Sequence, residues 1–222
     1  MGFQASERVV ALNAQLEAFM QEHIYPREHE WEAFTLDQNN RWQVPDWFDV
    51  LREKAKAEGL WNLFLPEEYG DWGPGLKNVE IARIFETMSK VNWAQPIFNC
   101  NAPDRGNMEV LAKYGTAEQQ EQWLKPLLAG DIRSAYAMTE PQVASSDATN
   151  MELSMTRDGD EYVLNGRKWW TTGAINPRCK LMLVMGKSNP ENDRHRQHST
   201  ILVPRDTPGV TLVRELRVFD NL

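Results

Sequence analysis

Cysteine is scarce in this sequence of 222 residues. Cys100 and Cys179 are the only two, they lie far apart, and neither belongs to a CxxC pair. This scarcity excludes a disulfide-rich secreted scaffold and predicts two free thiols in a reducing compartment. No apolar run approaches the roughly 20 residues that a membrane span requires. The first residues lack the basic stretch and apolar core of a signal peptide, and their early acids are unlike a transit peptide. We therefore expect a cytoplasmic protein with no membrane span.

An excess of positive charge is missing as well. The formal net charge is -8 and the isoelectric point is about 5.1. This balance argues against nucleic acid as the main partner, because phosphate contacts need clustered Lys and Arg. A small basic pocket could still bind an anionic cofactor. Low-complexity tracts are absent, and the length suits one or two globular domains.

Glycine is missing from the stretch YAMTEPQVASSDATN, residues 136–150, where a phosphate-binding loop would need it. The stretch instead carries five hydroxyl side chains around a Thr-Glu-Pro corner. In an arbitrary protein such a corner followed by serines is a capped turn. The glycines of GDWGPG, residues 70–75, are not followed by Gly-Lys-Ser/Thr, so they do not form a P-loop either.

Metal-binding and nucleophile motifs are also lacking. The sequence HEWE at His29 has no second histidine and is not HExxH. His195 and His198 lie in a very polar segment and supply too few ligands for a closed zinc site, so we interpret that segment as a solvated loop. Neither cysteine has a context that marks a nucleophile. We predict no metal site and assign no catalytic residue.

The first part of the chain has the apolar spacing of helices. One helix is predicted after an N-cap at Ser6 and is ended or bent by Pro26, and a second spans about Pro45 to Glu58 before Gly59. Further helices are predicted in three stretches: LKNVEIARIFETMSK, PDRGNMEVLAKYG and TAEQQEQWLKPLLAG. Thr116 and Gln119 fit a capping box for the last of these. The nine tryptophans could line a pocket, but packing in a core or an interface is the default interpretation.

The pattern of the sequence changes from helical spacing to short strand-like runs near Asp131. Short β-branched and aromatic runs follow, separated by DGD, NG and TPG turns. They include RSAYAMT, KLMLVMGKS, STILVP and VTLVREL. Consecutive rather than alternating elements predict separate domains, not a Rossmann-type α/β fold. We place a helical domain at residues 1–133 and a β domain at residues 134–222.

Four stretches in this order resemble the acyl-CoA dehydrogenase family of flavoproteins. They are LFLPEEYGD, KYGTAEQQEQWLKPLLAGDIRSAYAMTEP, AYAMTEPQVASSD and YVLNGRKWWTTGA, the last similar to a hairpin in which NG makes the turn. The VASSDATN variant resembles the long-chain subgroup. The resemblance implies an α+β multidomain fold: an all-α N-terminal domain, an antiparallel β-barrel-like domain, then a C-terminal helical bundle. We expect that bundle to be missing here and the β domain to be incomplete.

The resemblance also implies a site for FAD. Family members hold the FAD diphosphate mainly with hydroxyls and backbone amides, so GxGxxG is not required. The implied cofactor-binding residues lie at the end of one strand, in the serine pair and in the Trp-x-Thr triplet: Tyr136, Met138, Thr139, Ser145, Ser146, Trp170, Thr171 and Thr172. Ser146 is also the implied acyl-CoA contact, and Trp170 would pack along the flavin. Without the resemblance, the sequence WWTT predicts a hydrophobic strand face with solvated threonines.

The implied activity is FAD-dependent α,β-dehydrogenation of a fatty acyl-CoA thioester to the trans-2-enoyl-CoA. Electron-transfer flavoprotein is the implied electron acceptor, and full-length family members are homo-oligomers. The glutamate that takes the α-proton lies in or near the family's last bundle, so we expect this chain alone to be inactive. A non-catalytic remnant or partner subunit that keeps the fold is the alternative, and an unrelated helical-plus-β binding module is a further one.

Overall fold

The computed structural model describes residues 5–216 and 218, and the chain divides into two compact units. The first runs to Gly130, and the second spans Asp131–Leu216. The predicted domains also included residues 1–4, 217 and 219–222, which lie outside the described residues. Across the described part of the chain, no helix combines the length and the apolar character needed to cross a membrane.

The first unit is helical, with elements close to those that the apolar spacing predicts. Its helices are α1 (Glu7–Phe19), α2 (Glu28–Leu36), α3 (Asp46–Ala57), α4 (Asn78–Met88), α5 (Asp104–Tyr114), α6 (Ala117–Gln119) and α7 (Lys125–Ala129). Ser6 caps α1 by accepting a hydrogen bond from the amide of Val9, and Thr116 and Gln119 form the predicted capping box. The predicted first helix ends in a π turn, Met20–Ile24, followed by a 3-10 turn that contains Pro26.

Helix α1 packs along α4, and three polar links join them along their length. The hydroxyl of Ser6 donates to Glu80, the hydroxyl of Thr87 donates to Asn13, and the amine of Lys90 lies 2.7 Å from a carboxylate oxygen of Glu17. The apolar residues of α1 and α4 are buried between these links: Val9, Leu16, Phe19, Ile81, Ile84 and Met88. The links fix the register of two helices whose apolar faces alone would allow sliding.

Aromatic residues of the first unit pack on one another. Trp31 stacks on Trp93 with ring centroids 5.1 Å apart and on Phe48 at 5.6 Å. Trp47 lies 5.4 Å from Trp93 and donates its indole N–H to Glu30. These contacts agree with core packing, the default interpretation of the tryptophans.

The second unit is built on a sheet that has five strands among residues 131–216. They are β1 (Arg133–Ala137), β2 (Ser154–Asp158), β3 (Glu161–Asn165), β4 (Cys179–Lys187) and β5 (His198–Pro204). The pairs β2–β3 and β4–β5 are antiparallel, whereas β1–β4 and β2–β4 are parallel. The sheet is therefore mixed, and the prediction of an antiparallel barrel-like domain is corrected on this point. The physical reason is that β1 and β2 both run in the same direction as β4, because the chain leaves the sheet after β1 and after β3 and each time re-enters it along that direction.

Strands β1 and β2 share one edge of β4. Strand β5 pairs with β4 from Leu181 to Lys187 on one side, so β1 and β2 lie on the other. Strand β1 follows β4 to Val184, and β2 meets it at Lys187. The intervening residues, 138–153, must leave the sheet and come back to the same edge. The Thr-Glu-Pro corner is the start of this excursion, which we call the 138–153 loop.

Two further predictions differ from the structure. The turn of the β2–β3 hairpin is at Asp158–Glu161, with Gly159 at φ +61°, so NG is not a turn. Gly166 instead follows β3 where a Cβ would lie 2.8 Å from the Cα of Leu153, so a close approach of two backbones requires glycine. The stretch VTLVREL forms no strand within residues 210–216, where Val210 and Leu212 pack against the core of the sheet.

Candidate functional site

The 138–153 loop is organised by its own short polar side chains. The hydroxyl of Ser145 accepts a hydrogen bond of 2.8 Å from the amide of Glu140, which closes the turn around Pro141. Asp147 accepts from the amide and the hydroxyl of Thr149. Arg194, in the segment between β4 and β5, donates to Asp147 and to Thr149 at 2.8 Å each. The capped-turn interpretation of this stretch is therefore confirmed, and a second segment anchors its far side.

A buried ion pair lies at the base of the loop. Glu140 is 3% exposed, and one of its carboxylate oxygens lies 2.8 Å from the amine of Lys168, which is 9% exposed. The same carboxylate accepts hydrogen bonds of 2.7 and 2.9 Å from the amides of Glu152 and Leu153. Lys168 also donates to the carbonyl of Met138 at 2.8 Å. The pair thus joins the end of β1, the return to β2 and the segment after β3.

The surroundings of the pair set its protonation. Burial alone would raise the pKa of Glu140, but hydrogen bonds from Lys168 and from the amides of Glu152 and Leu153 outweigh it and hold that pKa below its usual value. Burial lowers the pKa of Lys168, and the hydrogen bond with Glu140 opposes this effect. The charged form of Glu140 is therefore the one that the fold stabilises.

This pKa predicts an acid limb in the stability profile. A carboxyl whose folded pKa is depressed adds stability above its unfolded pKa, and that stability is lost as the pH falls through the folded value. We expect the unfolding free energy of the wild type to fall more steeply below about pH 4.5 than that of Glu140→Gln, since other acids titrate equally in both. Urea melts at a series of pH values measure the difference. Parallel curves for the two proteins would contradict the assignment.

The segment after Lys168 carries two exposed indoles beside the end of β1. The amide of Trp169 donates to the carbonyl of Thr139 at 3.0 Å, which aligns this segment with the strand end. Trp169 and Trp170 have ring centroids 5.9 Å apart, and both are exposed. Trp170 has φ +50°, a left-handed conformation that tryptophan rarely adopts, and the amide of Thr172 bonds to its carbonyl. The backbone thus holds an indole outward at a cost in energy.

The structure brings together part of the predicted site. Thr139 lies beside the segment of Trp170, Thr171 and Thr172 through the bond to Trp169. Met138 is tied to the same segment through Lys168. Tyr136 lies on β1 with its hydroxyl 3.9 Å from the sulfur of Met185.

The two serines lie farther along the 138–153 loop and differ in exposure. Ser145 is buried and caps Glu140, whereas Ser146 is exposed. Their predicted contacts with cofactor and substrate stay predictions.

Sequence reasoning missed Glu140 and Lys168 as partners. Both stand inside the motif stretches, one directly before Pro141 and the other directly before two tryptophans. The pairing could have been suspected because both charged side chains lie among residues expected to be partly buried, where an ionised group needs a partner of opposite charge. A separation of 28 positions hid the pairing.

The two histidines of the segment before β5 and at its start have different surroundings. Among the described residues, no group of three or more His, Cys, Asp or Glu is placed to hold a metal ion. His195 is exposed, as expected for a solvated loop, but His198 begins β5 and is half-buried. Burial and the charge of Lys187 lower the pKa of His198, which favours its neutral form.

The residues around Trp170 fit a flavin in their chemistry. An isoalloxazine has apolar faces and a polar pyrimidine edge, and the strand end presents exposed indoles next to the hydroxyls of Thr139, Thr171 and Thr172. Indoles suit the faces, and threonine hydroxyls both donate and accept at the edge.

Comparison with known proteins finds relatives of both units of the chain. The model of the N-terminal domain of acyl-CoA dehydrogenases matches residues 6–131, and that of the middle domain matches residues 135–219. The structure of a putative acyl-CoA dehydrogenase from Mycobacterium abscessus superposes with a TM-score of 0.91 at 48% identity, covering 96% of this chain and 54% of that one.

Two curated relatives show the same similarity in sequence. Acyl-CoA dehydrogenase family member 10 of Mus musculus is 52% identical over 96% of this chain, which spans 20% of the mouse protein. The probable acyl-CoA dehydrogenase FadE2 of Mycobacterium tuberculosis is 48% identical over 99% of this chain, which spans 53% of that protein. The chain thus covers between a fifth and about half the length of these two relatives, and with both of its units matched it belongs to the acyl-CoA dehydrogenase family.

Proposed function

We propose that this chain supplies the FAD-binding strand end of an enzyme that converts a fatty acyl-CoA thioester to the trans-2-enoyl-CoA. The family to which it belongs consists of flavin-dependent oxidoreductases. When bound, FAD accepts the hydride in such a reaction, and the protein binds, orients and polarises it. Electron-transfer flavoprotein is the electron acceptor that we propose, on the family resemblance.

One observation carries the FAD assignment: Trp170 is strained and exposed in a segment that is hydrogen-bonded to the strand end at Thr139. A non-glycine residue in the left-handed region costs on the order of 1–3 kcal/mol, and such strain concentrates at ligand sites. Here the strained residue also leaves its large apolar ring 49% exposed. Burial of that ring against an apolar ligand face would recover part of both costs. The position of Trp170 beside Thr139 supports the flavin as that ligand.

The neighbouring side chains have separate proposed roles. The hydroxyls of Thr139 and Thr172 would bond the polar edge of the ring system, while Trp170 covers one face and excludes water from it. Ser146, exposed on the 138–153 loop, would contact the acyl-CoA. No residue of this sequence is assigned the role of the base that takes the α-proton. The proposal for this chain is therefore confined to binding the flavin and the thioester.

Replacing Trp170 tests the proposal. Asparagine tolerates the left-handed conformation, so Trp170→Asn keeps the backbone and removes the indole. We expect unfolding free energy to change by less than about 1 kcal/mol, because an exposed, strained residue adds little stability. We expect FAD affinity to fall by about 10-fold or more, since one stacked ring contributes roughly 1–3 kcal/mol. Titration of FAD with the chain, followed by flavin fluorescence, measures the affinity.

The helical unit offers a matched control. Trp42 is also left-handed, at φ +62°, and 39% exposed. Trp42→Asn should leave FAD affinity unchanged. Equal affinities of the wild type and Trp170→Asn would contradict the proposal, as would a wild type that takes up no FAD. Reduction of the bound flavin by an acyl-CoA in this chain alone would exclude the alternative of a non-catalytic remnant.

A further inference from the structure

We infer that Glu140 and Lys168 are positioning residues, which act through Thr139 and Trp170 and hold them in one fixed arrangement toward the flavin. The inference rests on the proposed function and deepens it, because it concerns two residues that are not among the predicted cofactor-binding residues. Its basis is the connectivity of the buried pair. Each of the three segments that meet at the strand end bonds to one or both of these two side chains.

The contacts show which segments the pair holds. Lys168 donates to the carbonyl of Met138 and to the carboxylate of Glu140, both at 2.8 Å, so its amine bridges two residues on either side of Thr139. Trp169, the next residue, donates its amide to the carbonyl of Thr139 itself. The pair therefore sets both the distance and the register between Thr139 and the tryptophans.

The carboxylate supplies the second half of the arrangement. Glu140 accepts the amides of Glu152 and Leu153, where the 138–153 loop returns to the sheet. At the same point the backbone of Gly166 approaches Leu153 too closely for any Cβ. Two buried, oppositely charged groups with most of their hydrogen-bonding capacity used allow little movement. A loose pair would let the loop and the indoles shift separately.

Alternative roles for the pair fit less well. A simple stabilising role would not require Lys168 to bond a carbonyl next to Thr139 or to precede the two exposed indoles directly. A direct cofactor contact would need a free carboxylate or amine, whereas Glu140 is 3% exposed and Lys168 is 9% exposed. The geometry favours action through the neighbouring residues.

The test separates binding from folding. FAD affinity and visible circular dichroism of the bound flavin are measured at a temperature where thermal melts show every variant to be folded. Lys168→Met should weaken FAD binding by about 10- to 100-fold, the loss typical of outer-shell residues that orient ligand-contacting ones in metal sites. It should also change the flavin dichroism, which reports the placement of the ring among its neighbours. Lys168→Arg retains the charge and should recover part of the affinity.

Control variants make each outcome decisive. Asp160→Asn breaks the exposed contact of Asp160 with Arg157, 3.9 Å apart in the β2–β3 turn, and should alter neither readout. If Lys168→Met does not fold, Glu140→Gln, which preserves side-chain volume, takes its place with the same expectation. A folded variant with wild-type affinity and dichroism overturns the inference while the proposed function stands. A wild type that binds no FAD overturns both.

Discussion

Lys168→Met lowers the free energy of unfolding by about 3–5 kcal/mol, the cost of leaving a buried charge without its partner. The carboxylate of Glu140 is 3% exposed in the wild type, so the variant leaves it in a largely buried position. It keeps the hydrogen bonds from the amides of Glu152 and Leu153 but loses the charged amine of Lys168. The carbonyl of Met138 loses its bond to the amine at the same time. Urea melts fitted by linear extrapolation measure the loss.

A comparison of ion pairs separates burial from distance. Lys90 and Glu17 in the helical unit lie 2.7 Å apart, nearly the separation of Lys168 and Glu140, but their side chains are 51% and 32% exposed. Lys90→Met should therefore cost only about 0.2–1 kcal/mol. The double variant Glu140→Gln with Lys168→Met should lose less than the sum of its two single variants, because no buried charge remains. Similar losses for Lys168→Met and Lys90→Met would contradict the buried-pair interpretation.

Local signals in the sequence predicted the helical unit well. The N-cap at Ser6 and the capping box of Thr116 and Gln119 depend on residues within four positions of one another. Apolar spacing placed α3 and α4 within a residue or two of their observed bounds. Such elements are determined by their own residues, so a single sequence contains the information.

Non-local geometry in the β unit was not predictable in the same way. Parallel pairing of β1 with β4 joins Arg133 to Cys179, and no short pattern marks strands so far apart as neighbours. Turn chemistry suggested a turn at NG, but Gly166 is required by the approach of Leu153 from another segment. The left-handed backbone of Trp170 opposes the preference of its own residue type.

The candidate site also combines features that local sequence indicates with features that only the fold determines. Its hydroxyls and the indole of Trp170 stand in motif stretches and were predicted through the resemblance, while the Glu140–Lys168 pair that aligns them depends on folding. The hydrogen bond from Trp169 to Thr139 joins two backbone groups, so the types of the two residues do not predict it. The resemblance thus proposes which groups the candidate site contains, and the structure shows how the backbone and the buried pair hold them.

Phe98→Ala should lower the unfolding free energy of the helical unit by about 3–5 kcal/mol, the usual cost of a cavity left by a buried phenylalanine. Phe98 is fully buried and makes an edge-on contact with Phe19, with ring centroids 5.3 Å apart. It ends a 3-10 turn, and its carbonyl accepts the amide of Asn62. The next residue, Asn99, is left-handed and bonds to Asn62 and to the carbonyl of Leu127. These bonds hold the surrounding backbone, so the cavity cannot collapse easily and the loss should be near the upper end.

The measurement must report on this unit alone, so hydrogen exchange is followed by mass spectrometry on peptides from residues 5–130. Those peptides should exchange sooner in Phe98→Ala than in the wild type under the same denaturant. Tyr114→Ala is the matched control, since it removes an aromatic ring that is 73% exposed and lies near the amine of Lys113. That variant should lose no more than about 1 kcal/mol, the value of an exposed cation–π contact. A loss for Phe98→Ala no larger than the control's would show that the core around Phe19 repacks to fill the space.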